Sequence, residues 1–394
     1  VKGGIFLKNK ALKILLIFLL AFTVITIAVI FTNVDFSNPT KLEEYVNTKL
    51  EKANVKGASI AIIKDNKIEK TINYGYANEK LEVNDETLFQ IAPLSKVVTA
   101  TAVMKLVEDG LINLDENVNN YLPFKLINPK YPKKAITIRM LLNHTSSIKD
   151  NWNVLDELYT IKKGGGDSDI TLEQFAKGYL KEGGEWYSKE KNFTKNKPGE
   201  KFEYSNVGYG LLGYIVENVT KMPFEKYVKE TIFKPLKMRK TEWLHQNIET
   251  DNIASPYEYG KEIPQYSFPT YPAGALKTNI LDFAKFLTSM SIEETETNIL
   301  QAETIGEMLK PQLNKGKQAL GWSYSTLDEL YLKKLNNGKI IGHSGSNPGF
   351  FSLGLYNREK GNGLIIFMNK EVEREVSSIN LYMMIKRLVK EANL

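Results

Sequence analysis

The sequence predicts an α+β fold: an antiparallel sheet assembled from both ends of the chain, a helical subdomain inserted between those ends, and one transmembrane helix in front. Three observations carry this reading. An uncharged run of 19 residues, 14–32, follows a lysine-rich start. Strand-like runs cluster near residues 57–78 and again near 339–370, and the sequence between them is mostly helical in pattern. Strands at both termini with helices between them suggest one sheet closed by distant segments rather than two consecutive domains.

The elements follow in order. Lys2, Lys8, Lys10 and Lys13 precede ILLIFLLAFTVITIAVIFT (14–32), about the length that spans a hydrocarbon core as a helix. Basic residues before a span stay in the cytoplasm, so 1–13 is read as a cytoplasmic start, 14–32 as an uncleaved signal anchor and the rest as extracytoplasmic. The alternative is a cleaved signal and a secreted protein. The run exceeds a usual signal core, however, no clear Ala-x-Ala site follows, and a chain without cysteine has no lipoprotein anchor. Residues 33–41, polar and Pro-containing, read as a stalk, and 42–394 as the folded domain.

Within that domain Leu42 to Ala53 suits a helix, and GASIAIIKDNKIEKTINYGYAN (57–78) suits two strands around Asp65-Asn66. SKVVTATAVMKLVE (95–108), apolar nearly all round and stopped by Gly110, predicts a buried helix. Segments 162–169 and 181–201 read as solvated loops. KIIGHSG, FFSLGLYN and GLIIFMNK predict three strands separated by Asn-Pro-Gly and Lys-Gly-Asn-Gly turns, and 376–394 has helical periodicity.

Composition narrows the chemistry. With 42% hydrophobic and 25% charged residues the chain has globular proportions. Zero cysteines exclude thiolate metal sites and cysteine nucleophiles, and three widely spaced histidines, His144, His245 and His343, argue against a histidine-built zinc site. No motif calls for a cofactor. The net charge of +6 owes four charges to the start, which leaves 48 basic against 46 acidic residues elsewhere, so no nucleic-acid groove is implied. Hydrolytic chemistry has to be sought among hydroxyls, lysines and carboxylates.

Four segments stand out together: FQIAPLSKVVTA (89–100), LLNHTSSI (141–148), PGEKFEYSNVGYGLLG (198–213) and GHSGSNPGF (342–350), with YPAGALKTNILDFAKF (271–286) as a further one. Their order and spacing resemble the serine beta-lactamase and penicillin-binding-protein superfamily. The nearest pattern is the class C beta-lactamase-like group, which includes D-alanyl-D-alanine carboxypeptidases, D-aminopeptidases and esterases. The resemblance implies a Ser-x-x-Lys on the buried helix, in which the lysine deprotonates the serine one turn away. Lys96 fills the lysine place and Pro93 the serine place. Proline there removes both the nucleophilic oxygen and an N–H expected to serve the oxyanion hole, while remaining compatible with a helix start.

Ser95 is adjacent to Lys96, its side chain points about 100° away from that lysine on a helix, and it does not replace the missing hydroxyl. Ser146/Lys149 and Ser188/Lys191 repeat the spacing away from a buried helix start. Tyr204 and Asn206 match the family's Tyr-x-Asn, which implies a proton-sharing phenol and a substrate-holding amide. His343, Ser344 and Gly345 match its His-x-Gly strand, with Ser344 and Gly345 against substrate and the Ser346 N–H as an oxyanion donor. His144 is read as a turn histidine and His245 is given no role. Tyr209, Phe350 and Phe351 flank the motifs as possible pocket residues. The resemblance implies a surface hydrolase for D-alanyl amides or esters of cell-wall peptide or teichoic acid. The residues imply a site without its nucleophile, and so also a non-catalytic binding or regulatory protein.

Overall fold

The computed structural model describes residues 40–394 apart from 163–164, 293–297, 314–315 and 372–377, and only isolated positions before residue 40. The expected cytoplasmic start, spanning segment and stalk therefore lie almost wholly outside the described residues. Among the described residues no helix is long and apolar enough to cross a membrane.

Two compact units are present. The smaller comprises residues 1–55 with 373–385, and the larger 56–372 with 386–394. In the smaller, helix α1 (Leu42–Lys52) buries Tyr45, Val46 and Leu50, and the Tyr45 hydroxyl donates to the Met383 carbonyl at 3.3 Å.

The larger unit contains a five-stranded antiparallel sheet. Its strands are β1 (Gly57–Lys64), β2 (Lys67–Gly75), β3 (Ile340–Asn347), β4 (Phe350–Asn357) and β5 (Asn362–Met368), in the order β2-β1-β5-β4-β3. The ends of the chain thus meet at the β1–β5 pair, as the sequence pattern predicts, with Ile60 opposite Ile366. Asp65 and Asn66 both have positive φ, 48° and 60°, the backbone of a two-residue hairpin turn that short polar side chains tolerate best. Strands β4 and β5 are buried along their whole length, which is why they read as near-continuous apolar runs rather than alternating ones.

Helix α2 (Ser95–Glu108) buries eleven of its fourteen residues. Full burial of each large apolar side chain such as Val98, Met104 or Leu106 contributes about 1.5–3 kcal/mol, and the same apolar burial traps Lys96. Helix α3 (Leu172–Leu180) starts in a capping box of Thr171 and Gln174. Helix α4 (Asn206–Thr220) begins at the Tyr-Ser-Asn motif and packs on α2, while α5 (Ile280–Thr288) lies on β1 and β5 through Phe283 against Phe367, ring centroids 5.7 Å apart. Helix α6 spans Ser378–Glu391.

Two expected loops are more structured than their composition suggests. In 162–169, Asp167 accepts from the N–H groups of His245 and Gln246 at 2.7 and 3.1 Å. In 181–201, Asn192 is buried and its amide donates to the carbonyls of Tyr179 and Trp186 at 2.9 and 2.8 Å. Charge-rich composition signals surface but does not reveal a single buried side chain that pins a loop. Phe350 and Phe351 are buried core residues and line none of the cavities around the motifs.

Candidate active site

The site is assembled at the start of α2. A short 3-10 turn, Ala92–Leu94, delivers the chain into that helix, and Ala92 sits at φ 49°, a left-handed conformation costly for a residue with a Cβ. Neighbours hold it there. The Ile91 N–H donates to the Leu276 carbonyl at 2.9 Å, and the Ser352 hydroxyl donates to the Ile91 carbonyl at 2.5 Å. Gly345 on β3 lies so close that a Cβ would stand 2.6 Å from Ser352 Oγ, 2.8 Å from the Ile91 carbonyl and 2.8 Å from the Pro93 nitrogen. The glycine of the His-Ser-Gly segment is thus needed for the edge strand β3 to reach the turn.

Pro93 faces a cavity of about 330 Å³, which Tyr204, His343, Ser344 and His144 also line. Lys96 lies one turn further along, fully buried behind this wall. Its ammonium donates to Asn206 Oδ1 and to the Ala273 carbonyl, each at 2.7 Å, and stands 4.8 Å from the centre of the Tyr204 ring and 5.5 Å from that of Tyr209. Asn206 borders a second, smaller pocket with Trp152, Tyr159, Phe268 and Asn347. Lys96 therefore touches one lining residue of each pocket, Tyr204 and Asn206.

Ser95 does not substitute for the missing hydroxyl. It is fully buried, its Oγ donates to the Ala92 carbonyl at 2.7 Å, and it accepts from the Leu276 N–H at 3.2 Å. The hydroxyl thus serves to close the turn. Ser346 stands opposite Phe351 on edge strand β3, with its own hydroxyl on Glu371 at 3.2 Å.

Asp150, which the sequence reading passed over, organises the far side. Its carboxylate accepts from the Asn206 N–H and the Asn206 amide at 2.9 Å each, and from the Val207 N–H and the Ser205 hydroxyl at 3.1 Å each. These bonds cap α4 and leave only the amide oxygen of Asn206 for Lys96, so the asparagine is oriented from both ends. One of the two amide hydrogens is thereby committed, and an amide carries two. His144 is more than a turn residue. Its φ is 59°, its Nδ1 accepts from the Ser205 N–H at 3.1 Å, and its ring stacks on Tyr204 at 4.5 Å. No sequence signal marked Asp150, since a buried carboxylate in a polar segment reads like a surface one.

Protonation follows from burial. Burial lowers Lys96 to about 7, and the nearby Asp150 charge opposes the shift only in part. Burial lifts the Asp150 carboxyl above the usual carboxylate range against the pull of its hydrogen bonds and of Lys96. His343 falls to about 4 through burial and the Lys96 charge, and His144 falls well below its ordinary value for the same two causes. Although 37% of the Tyr204 surface faces the cleft, burial lifts its phenol well above 10, helped by Tyr209, Asp150 and Glu329. At neutral pH the arrangement offers a poised amine in Lys96, a neutral phenol and two neutral imidazoles. It can bind a polar acyl group and move a proton, but it presents no attacking oxygen at the helix start. With its phenol held protonated, the donor half of the proton-sharing role suits Tyr204.

Known proteins share this fold. The beta-lactamase family model matches residues 42–385. The chain is 27% identical over 349 residues to Protein flp of Staphylococcus aureus strain N315, covering 84% of this chain and 63% of that protein. It is 27% identical over 331 residues to Penicillin-binding protein 4* of Bacillus subtilis strain 168, covering 77% and 66%. It therefore spans about two thirds of the length of these relatives. Among solved structures, the octameric penicillin-binding protein homologue from Pyrococcus abyssi matches with a TM-score of 0.68 at 28% identity, over 87% of this chain and 76% of that one. The D-amino acid amidase from Ochrobactrum anthropi SV3 complexed with L-phenylalanine has a TM-score of 0.68 at 23% identity, over 89% and 98%, which is a likeness of fold alone. With the sheet closed by both termini and the lysine, tyrosine and asparagine gathered at one helix start, the chain belongs to the beta-lactamase family.

Proposed function

We propose that this protein binds D-alanyl amides or esters of the cell wall, in peptide or teichoic acid, without forming an acyl-enzyme. On this reading it is a non-hydrolytic member of a hydrolase family, held at the outer face of the membrane through residues 14–32. One observation carries the reading. At the position where the family's chemistry needs a hydroxyl there is Pro93, and the adjacent Ser95 hydroxyl is spent on the Ala92 carbonyl and the Leu276 N–H. Loss of such a nucleophile typically costs several orders of magnitude in rate. The cavity beside Pro93, with Tyr204 and His343 on its wall and Lys96 behind, supports retained ligand binding.

An acylating probe tests the reading. The full chain, treated with a fluorophosphonate or a beta-lactam, is expected to keep its unmodified mass, whereas Pro93→Ser gains one adduct. A named D-alanyl ligand should still bind the unmodified chain. Steady hydrolysis of D-alanyl esters or peptides by the Pro93 form, abolished by Lys96→Met, would replace binding with catalysis.

A further inference from the structure

We infer that the cleft selects aminoacyl ligands that carry a free ammonium over ligands that end in a carboxylate, with Glu329 as the anionic contact. The inference rests on the cleft being the ligand site proposed above. The cavity beside Pro93 has one carboxylate at its rim, Glu329, and no lysine or arginine among the described residues that line it. Its two histidines supply no positive charge. Nδ1 of His144 accepts a hydrogen bond from the Ser205 N–H, so that nitrogen carries no proton, and burial keeps His343 neutral as well.

The neighbouring pocket adds no positive charge, since no charged residue lines the smaller pocket at Asn206 among the described residues. Two acidic residues act near that pocket: Glu371 receives the Ser346 hydroxyl on the edge strand, and Glu371 and Asp156 both act on Tyr159, which lines it. Lys96 is the exception, and its N–H groups face Asn206, the Ala273 carbonyl and two aromatic rings. The chain as a whole has a net charge of +6, so an acidic cleft does not simply mirror composition.

A second observation points to a ligand in the same cavity. Thr326 lines it, is 3% exposed, and its Oγ1 has no hydrogen-bond partner among the described residues. Buried hydroxyls are ordinarily paired, and an unpaired one is costly. A ligand ammonium, with three donors and no acceptor, would satisfy the Thr326 oxygen and the Glu329 carboxylate together. A ligand carboxylate would meet Glu329 with like charge.

Three matched dipeptides test this on the full chain at pH 7 and low ionic strength: D-alanyl-D-alanine amide, which is cationic, N-acetyl-D-alanyl-D-alanine amide, which is neutral, and N-acetyl-D-alanyl-D-alanine, which is anionic. Titration calorimetry should rank them in that order, with the cation roughly two- to fivefold tighter than the neutral ligand, as for a partly exposed charge pair. Glu329→Gln should erase that advantage while leaving the neutral ligand's Kd unchanged. Thr326→Val, nearly the same in shape, should weaken the cation severalfold and spare the fold. Equal binding of all three, a preference for the anion, or a cation preference that survives Glu329→Gln would overturn the inference and leave the cleft standing as a ligand site. Failure of all three to bind would remove the ligand site itself.

Discussion

Two corners of the site differ in how their side chains are employed. At residues 92–96 the nucleophile position has been emptied of chemistry, since Pro93 offers neither oxygen nor N–H, yet the turn around it stays closed by Ser95, Ser352 and the Leu276 carbonyl. At residues 204–207 the motif residues are tied into the structure: Asp150 caps α4, Asn206 joins Asp150 to Lys96, and Ser205 ties down His144. The difference shows which parts of such a site can change freely. Replacing a serine by proline at the first turn of a helix leaves no buried donor unpaired. Removing Asp150 would leave several unpaired at once.

The sharpest way to break this comparison is to invert it. Asp150→Ala is expected to cost about 3–5 kcal/mol of stability, the scale for deleting one member of a buried charged network, whereas Pro93→Ala should change it by about 1 kcal/mol or less. Urea unfolding of the two variants gives both numbers, and similar costs would mean that the corners are not built differently. Gly345→Ala comes next. Its methyl would meet Ser352 Oγ at 2.6 Å and backbone at 2.8 Å, so about 1–3 kcal/mol should be lost and the edge strand β3 pushed from the turn.

A further expected effect concerns pH. Lys96 has a pKa of about 7 in the folded protein against an ordinary value of 10.5. Between these values the unfolded chain holds the extra proton, so this residue makes folding more favourable as pH rises from about 7 towards 10, and its full penalty is present below 7. Lys96→Met removes that dependence. Its stability relative to the parent should therefore be greatest at pH 6 and decline by pH 9.5, and a difference independent of pH would mean that Lys96 titrates normally.

What the sequence made legible follows from how local each signal is. The paired strands, the buried helix and the motifs announce themselves within a few residues, through continuous apolar runs, an Asp-Asn turn and glycines where backbones approach. Pro93 was legible for the same reason, because its meaning depends only on Lys96 three residues later. Asp150 was not, since its importance comes from meeting residues 55 to 57 positions away, and a carboxylate's burial leaves no trace in its neighbours. Thr326 and Glu329 were hidden likewise, lying in a segment without any motif, and His144 read as a turn residue because its positive φ and its ring contacts serve different ends.

The central claim is that the oxygen and the N–H that Pro93 lacks separate this cleft from acyl transfer. Intact-protein mass spectrometry tests it most directly, with the parent chain, Pro93→Ser and Ser95→Ala each incubated with the same fluorophosphonate. The account predicts an unmodified parent, an unmodified Ser95→Ala variant, and a single adduct on Pro93→Ser that maps to residue 93. An adduct on the parent that disappears in Ser95→Ala would contradict it and make Ser95 the nucleophile.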